Sequence, residues 1–158
     1  MSPFALVDAH GRIVDRPSLR GKTSVLVFGA PDTPASGKIL AETIRRVAEV
    51  EERLRPESLP AFQVLVLMLD SRPASVATAQ AMLPDADSHW KLLVGPEPML
   101  LDLAAAFGVV TWRNDTGGLE HTLRTVVVDG EARILDLFTG LDDWTPSDLL
   151  AAVSAASR

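Results

Sequence analysis

Residues 23–38 read TSVLVFGAPDTPASGK, and this stretch decides the fold. Val25, Leu26, Val27 and Phe28 follow one another without a polar break, as in a central strand covered on both faces. The run meets Gly29-Ala30-Pro31-Asp32-Thr33-Pro34, a turn in which two prolines exclude continued strand. A helix follows, starting near Ala35 or Ser36 and reaching about Leu54, with apolar positions at Leu40, Ile44, Val47, Val50 and Leu54. Glu42 with Arg46, Glu49 with Arg53, and Glu51 with Arg55 lie one turn apart and read as its solvated face.

Working outward, residues 62–69 (FQVLVLML) form a second buried strand ending at Asp70, which either caps the next helix or marks the strand end. Pro73 suits the first turn of that helix, which runs to about Leu83 with Val76 and Leu83 inward. Residues 84–88 are an acidic loop, 91–94 a short strand, and 98–107 a third helix with Gly108 as its C-cap. On the N-terminal side, residues 4–7 and 12–14 flank Gly11 and form a small β-hairpin. Residues 109–121 contain Asn114-Asp115-Thr116-Gly117-Gly118, a loop of turn formers. Residues 122–128 and 133–138, separated by Asp129-Gly130-Glu131, form an antiparallel hairpin. Thr145 caps a last helix that runs to about Ala156 with Leu149, Leu150 and Val153 inward. The order predicts an α/β fold in one domain over residues 1–158, with a central mixed sheet flanked by helices and an N-terminal hairpin.

Composition narrows the chemistry. The chain has 158 residues, 47% hydrophobic, a net charge of −6 and no cysteine. With no basic run there is no footprint for nucleic acid or anionic lipid. Without a thiolate there is no disulfide exchange, thiol nucleophile or Cys-type zinc site. No stretch approaches the roughly 20 apolar residues of a transmembrane helix. Residues 1–11 lack the basic start and apolar core of a signal peptide. The expectation is a cytoplasmic protein if Met1 is the native start, and a periplasmic or membrane-anchored one if a leader has been removed.

Several motifs in order resemble the Sco/SenC family of the thioredoxin-like superfamily. The opening Phe4-Ala5-Leu6-Val7-Asp8 with Gly11, then Leu19-Arg20-Gly21-Lys22, is similar to the family's first strand pair and Gly-Lys. Val25–Phe28 with Pro31-Asp32 is similar to the strand entering its Cys-Pro-Asp-x-Cys-Pro loop. Met68-Leu69-Asp70 with Arg72-Pro73, Trp90-Lys91-Leu92-Leu93-Val94-Gly95, and His121-Thr122 before Val126-Val127-Val128-Asp129-Gly130 match later segments. The resemblance covers almost the whole chain and implies a thioredoxin-like fold. Members bind copper through the two loop cysteines and the histidine, and assist cytochrome c oxidase assembly or act in thiol redox. Here the two cysteine positions fall on Ala30 and Pro34, so the loop is a degenerate site: Ala30, Pro31, Asp32, Thr33, Pro34.

His121 is then the one candidate metal ligand, for copper, with Asp32, Asp115 or Glu120 as partners only if folding brings them together. Its structural reading is a residual histidine hydrogen-bonded to the turn. His10 and His89 read as surface residues, and Met68, Met82 and Met99 as core filling. Asp32, Asp70 and Asp102 form no obvious carboxylate pair. Thr33 and Ser36 have no recognisable base. Trp90, Trp112 and Trp144 read as half-buried anchors, and Trp112, Asn114 and His121 as a surface for a protein partner. Three functions follow in order of preference: a non-redox binding or assembly module without cofactor, an altered copper site built on His121, and an enzyme using non-thiol chemistry.

Overall fold

A computed structural model describes residues 3–84 and 89–157. Most of the acidic loop expected at 84–88 lies outside them. The elements are β1 (Ala5–Val7), β2 (Ile13–Asp15), β3 (Thr23–Gly29), α1 (Pro34–Arg53), β4 (Phe62–Met68), α2 (Pro73–Met82), β5 (Trp90–Leu93), α3 (Glu97–Ala106), β6 (Thr111–Arg113), β7 (Leu119–His121), β8 (Arg124–Val128), β9 (Ile134–Thr139) and α4 (Pro146–Ala156).

The central sheet has the order β5-β4-β3-β8-β9. β3 pairs in parallel with β4, and β4 with β5, because a helix returns the chain between them; β8 and β9 join antiparallel. Every residue of β3 and of β4 is buried. Their side chains alternate between two apolar layers. Val25, Val27, Val64 and Val66 face α1 and α4, packing with Leu40, Ile44, Val47, Leu149 and Val153. Leu26, Phe28, Leu65 and Leu67 face the other way, onto Leu100 and Leu103 of α3 and onto Leu6 and Val14 of the first hairpin. The chain is thus a three-layer, thioredoxin-like α/β fold, and the strand that alternates between both layers delivers the Ala30–Pro34 turn at its C-terminal end.

Helix starts are chemically specified. Thr33 caps α1: its Oγ1 accepts from the Ser36 N–H at 3.1 Å while the Ser36 Oγ accepts from the Thr33 N–H at 3.0 Å, with Pro34 in the first turn. The helix therefore begins one residue earlier than the sequence reading placed it. Thr145 and Asp148 form the same reciprocal box on α4. In α2 the fully buried positions are Ser75 and Ala79; Val76 and Leu83 pack only partly against the core. Of the three expected pairs on α1, Glu42–Arg46 forms at 3.1 Å. Arg53 donates to Ser147 Oγ, and Glu51 accepts from the Trp90 indole.

A hairpin missing from the sequence reading connects α3 to β8. β6 and β7 pair antiparallel, with Thr111 opposite His121 and Arg113 opposite Leu119. Its turn repeats the chemistry of the other two hairpins. In each, an Asx side chain opens the turn and accepts from the backbone N–H groups two and four residues on: Asp8 from His10 and Arg12, Asn114 from Thr116 and Gly118, Asp129 from Glu131 and Arg133. In each, the residue three after the Asx is left-handed: Gly11 (φ 76°), Gly117 (φ 82°) and Ala132 (φ 61°). These are three-residue hairpin loops closed by a bulge. At 129–133 the left-handed residue is accordingly Ala132, not Gly130.

Candidate functional site

The turn after β3 and the end of β7 meet. Phe28, Ala30, Asp32, Thr33, Ser36, Ile39 and Leu40 on one side, and Trp112, Leu119, Glu120, His121 and Leu123 on the other, line an open cavity of about 410 Å³.

Asp32 joins the two sides. The Pro31 corner is tight, with the Asp32 N–H donating to the Ala30 carbonyl at 2.8 Å, and it leaves the Asp32 side chain 5% exposed. One carboxylate oxygen, Oδ2, accepts from the Leu119 N–H on β7 at 3.1 Å and from Arg72 at 3.4 Å; the other accepts from the Ser36 hydroxyl at 3.4 Å. The approach is so close that a Cβ on Gly118 would sit 2.5 Å from Oδ2. Arg72 also holds Asp70, through Nε at 2.9 Å and Nη2 at 2.6 Å. Burial works to raise the Asp70 pKa, but the hydrogen bonds from Arg72 and Ser75 outweigh it and hold the carboxyl below its usual range. Asp70 does not cap α2, whose N-cap is Arg72; it accepts the Arg72 N–H at 3.0 Å and the Ser75 hydroxyl at 2.9 Å. The sequence saw no carboxylate pair, yet Arg72 gathers Asp32 and Asp70 at the ends of adjacent strands.

His121 is half-buried at the cavity wall. Its Nδ1 lies 2.8 Å from the Thr122 carbonyl, so Nδ1 carries the hydrogen and Nε2 keeps the lone pair. Its hydrogen bond therefore goes to its own strand end and not to the turn. Burial lowers its pKa below 6.5, against smaller opposing effects of the Thr122 carbonyl and Asp32. The unfolded chain consequently binds more protons than the folded one as pH drops below 6.5. This histidine's contribution to stability is complete above that pH and is lost as pH falls through the folded pKa. Urea midpoints measured from pH 7.5 to 5 should fall, and His121→Gln should flatten that fall; equal slopes in both proteins would remove the linkage.

Other expected residues divide. Trp112 is 46% exposed on the rim, its Nε1 donating to Glu120 Oε2 at 2.9 Å. Asn114 lies off the cavity, because its carboxamide folds onto its own turn. Trp90 and Trp144 are core residues at 3% exposure, not half-buried anchors; Trp144 stacks near Phe138 and beneath the Arg46 guanidinium. Met68 is fully buried, and Met82 and Met99 pack against the core. His10 is exposed in the first turn, and His89 sits against the Phe62 ring. Thr33 and Ser36 satisfy each other as a helix cap, and the Ser36 hydroxyl also reaches the Asp32 carboxylate at 3.4 Å. Leu119, Gly118 and Arg72 were missed as site residues; the Asn-x-x-Gly signature at 114–117 was the readable signal for the hairpin that carries two of them.

The donor set does not fit a copper ion. Soft thiolates hold Cu(I), and Ala30 and Pro34 supply none. Asp32 already accepts three hydrogen bonds, and among the described residues no three His, Cys, Asp or Glu side chains converge. Also among the described residues, no helix is long and apolar enough to cross a membrane.

Comparison with known proteins agrees with this architecture. The SCO1/SenC family model matches residues 1–157. Against curated proteins no sequence match is found. Solved structures superpose over nearly the full chain. Bradyrhizobium japonicum ScoI, determined with copper bound, is 20% identical with a TM-score of 0.77, covering 98% of both chains. Yeast Sco1 is 18% identical with a TM-score of 0.76, covering 98% of this chain and 94% of its own. BsSco, described as a member of the Sco family of cytochrome c oxidase assembly proteins, is 17% identical with a TM-score of 0.78, covering 99% and 92%.

Proposed function

The chain belongs to the SCO1/SenC family, and from that premise we propose that it is a binding or assembly module working without thiol redox chemistry. Its contact face is the turn at 29–36 together with the β6–β7 hairpin around Trp112 and His121. One observation carries this reading. The turn and His121 still line a shared, open cavity, although alanine and proline stand where the family resemblance puts its two cysteines. A surface can outlast its reactive groups, because recognition needs shape and apolar area and thiol exchange needs a thiolate. The rim is suited to recognition: Trp112 and Ile39 are 46% and 38% exposed. The partner class is taken from BsSco, described as a member of the Sco family of cytochrome c oxidase assembly proteins, and we place this chain in the same assembly work as a non-catalytic member.

The test is recovery of oxidase subunits from an extract of the protein's own cells on the immobilised chain, beside a Trp112→Ala/His121→Ala variant. Both substitutions are on partly exposed side chains, and circular dichroism checks that the variant folds. Specific recovery by the native chain, reduced at least tenfold with the variant, is the expected result. Equal recovery from both would sink the reading.

A further inference from the structure

Among the described residues, most of the cavity's polar lining is paired inside the protein; His121 in the wall and Glu120 at the rim keep an acceptor free. Asp32 accepts from Leu119, Ser36 and Arg72. Thr33 and Ser36 cap α1, and the Thr43 hydroxyl donates to the Ile39 carbonyl. Thr122 Oγ1 accepts the Val110 N–H. With Nδ1 bonded to Thr122, the atom left over in the wall is His121 Nε2, a lone pair without a donor among the described residues. The remaining wall is apolar: Phe28, Ile39, Leu40, Leu119 and Leu123. An apolar body carrying one hydrogen-bond donor for His121 Nε2 matches this wall, and a further polar group keeps a partner only where it reaches Glu120 at the rim.

A second feature fixes the occupant's surroundings. Glu120 is exposed beside the opening, and its Oε2 accepts from the Trp112 indole. Among the described residues no cation lies within ion-pair distance of it. The rim therefore offers an unneutralised negative charge next to an apolar socket.

Building on the partner-binding reading, we propose that this cavity receives one tryptophan or tyrosine side chain of a partner protein, its N–H or O–H donating to His121 Nε2, with an adjacent basic residue of the partner set against Glu120. The cavity's volume, about 410 Å³, lies in the usual range of small-molecule sockets and leaves room for one aromatic side chain. Aromatic anchors with a polar tip suit a socket that is apolar with one acceptor.

The probes are acetyl-Lys-Trp-amide, its 1-methyltryptophan counterpart and free indole, titrated into the intact chain and followed by nitrogen-15 NMR. The expected result is binding of the Lys-Trp probe with a shift of the His121 Nε2 resonance. Methylating the indole nitrogen should weaken it about fivefold, the worth of one neutral hydrogen bond. Free indole should bind more weakly, and Glu120→Gln should weaken the Lys-Trp probe but not indole. Equal affinity of the methylated probe overturns the proposal. So does free indole matching the dipeptide, which would make the cavity a small-molecule pocket, and so does no shift at millimolar probe. If the probes fail while oxidase recovery is still lost in Trp112→Ala/His121→Ala, the partner reading stands and the anchor falls. If the probes bind and recovery is unchanged, the partner reading falls and takes the anchor with it.

Discussion

Replacing Asp32 by alanine should lower the unfolding free energy by about 2 kcal/mol, the cost of stranding a backbone donor that loses its charged acceptor. For a chain of this size, that is a drop in Tm of roughly 4–8 °C. The donor is the Leu119 N–H, and Leu119 itself is 3% exposed, so water is a poor substitute. Arg72 suffers little, because it is largely exposed and keeps its two-pronged grip on Asp70. The local signature should be larger than the global one. Residues 111–121 are tied to the turn by this carboxylate, so hydrogen exchange at Leu119 and across β6–β7 should accelerate while β3 and β4 stay protected. Asp32→Asn keeps an acceptor oxygen and should cost less than half as much. Gly118→Ala attacks the same contact from the other side, because its Cβ would meet Oδ2 at 2.5 Å. The two changes share one interaction, so the double variant should be more stable than the sum of the singles implies. Unchanged Tm and unchanged exchange in Asp32→Ala would show that the hairpin is held by its apolar contacts alone.

Which features were legible follows from how many residues carry each signal. β3 and β4 are built on the unbroken apolar runs 25–28 and 64–69, rich in valine and bounded by Gly, Pro and Asp, which is the pattern of short buried strands. Helix starts were legible to within about a residue because Thr33-Pro34 and Thr145-Pro146 combine an N-cap with a first-turn proline. β6 and β7 were not, because three residues are too few to show alternation and Trp112, Arg113 and Glu120 point to water. The first and second hairpins share Asx-x-x-Gly, at 8–11 and 114–117, and one was read as a hairpin while the other was read as a loop. The family resemblance placed His121 beside the turn, and periodicity alone would not have done so. Arg72 joining Asp32 to Asp70 spans 40 residues of sequence and depends on which strand ends become neighbours in the sheet. No local pattern encodes that. Trp90 and Trp144 were misjudged for a related reason: an indole at a strand start or before a helix is buried only when the surrounding elements close over it.

Restoring sulfur at the turn tests whether ligand loss alone separates this chain from copper chemistry. In the native chain the cavity offers one imidazole lone pair and no thiolate, and the Asp32 carboxylate already accepts three hydrogen bonds. Titration with Cu(I) and with Cu(II) should therefore show no one-to-one binding beyond the level of His121→Ala. The double variant Ala30→Cys/Pro34→Cys puts two thiolates on the turn that faces His121 across the cavity. It should bind one Cu(I) stoichiometrically at micromolar protein, with release of thiol protons. Adding His121→Ala to that background should weaken the binding measurably. Neither substitution should prevent folding. Ala30 is 2% exposed among apolar side chains, where cysteine behaves as a small hydrophobe. Pro34 occupies the first turn of α1, where a restored N–H has no intrahelical partner to lose, so its replacement costs about 0.4–1 kcal/mol, through the unfolded chain. A folded double variant without copper affinity would mean that the turn has drifted from a ligating shape and not merely lost its ligands. Stoichiometric, His121-dependent copper in the native chain would mean the reverse: the histidine would be a working ligand, and the cavity would be a metal site before it is a docking surface.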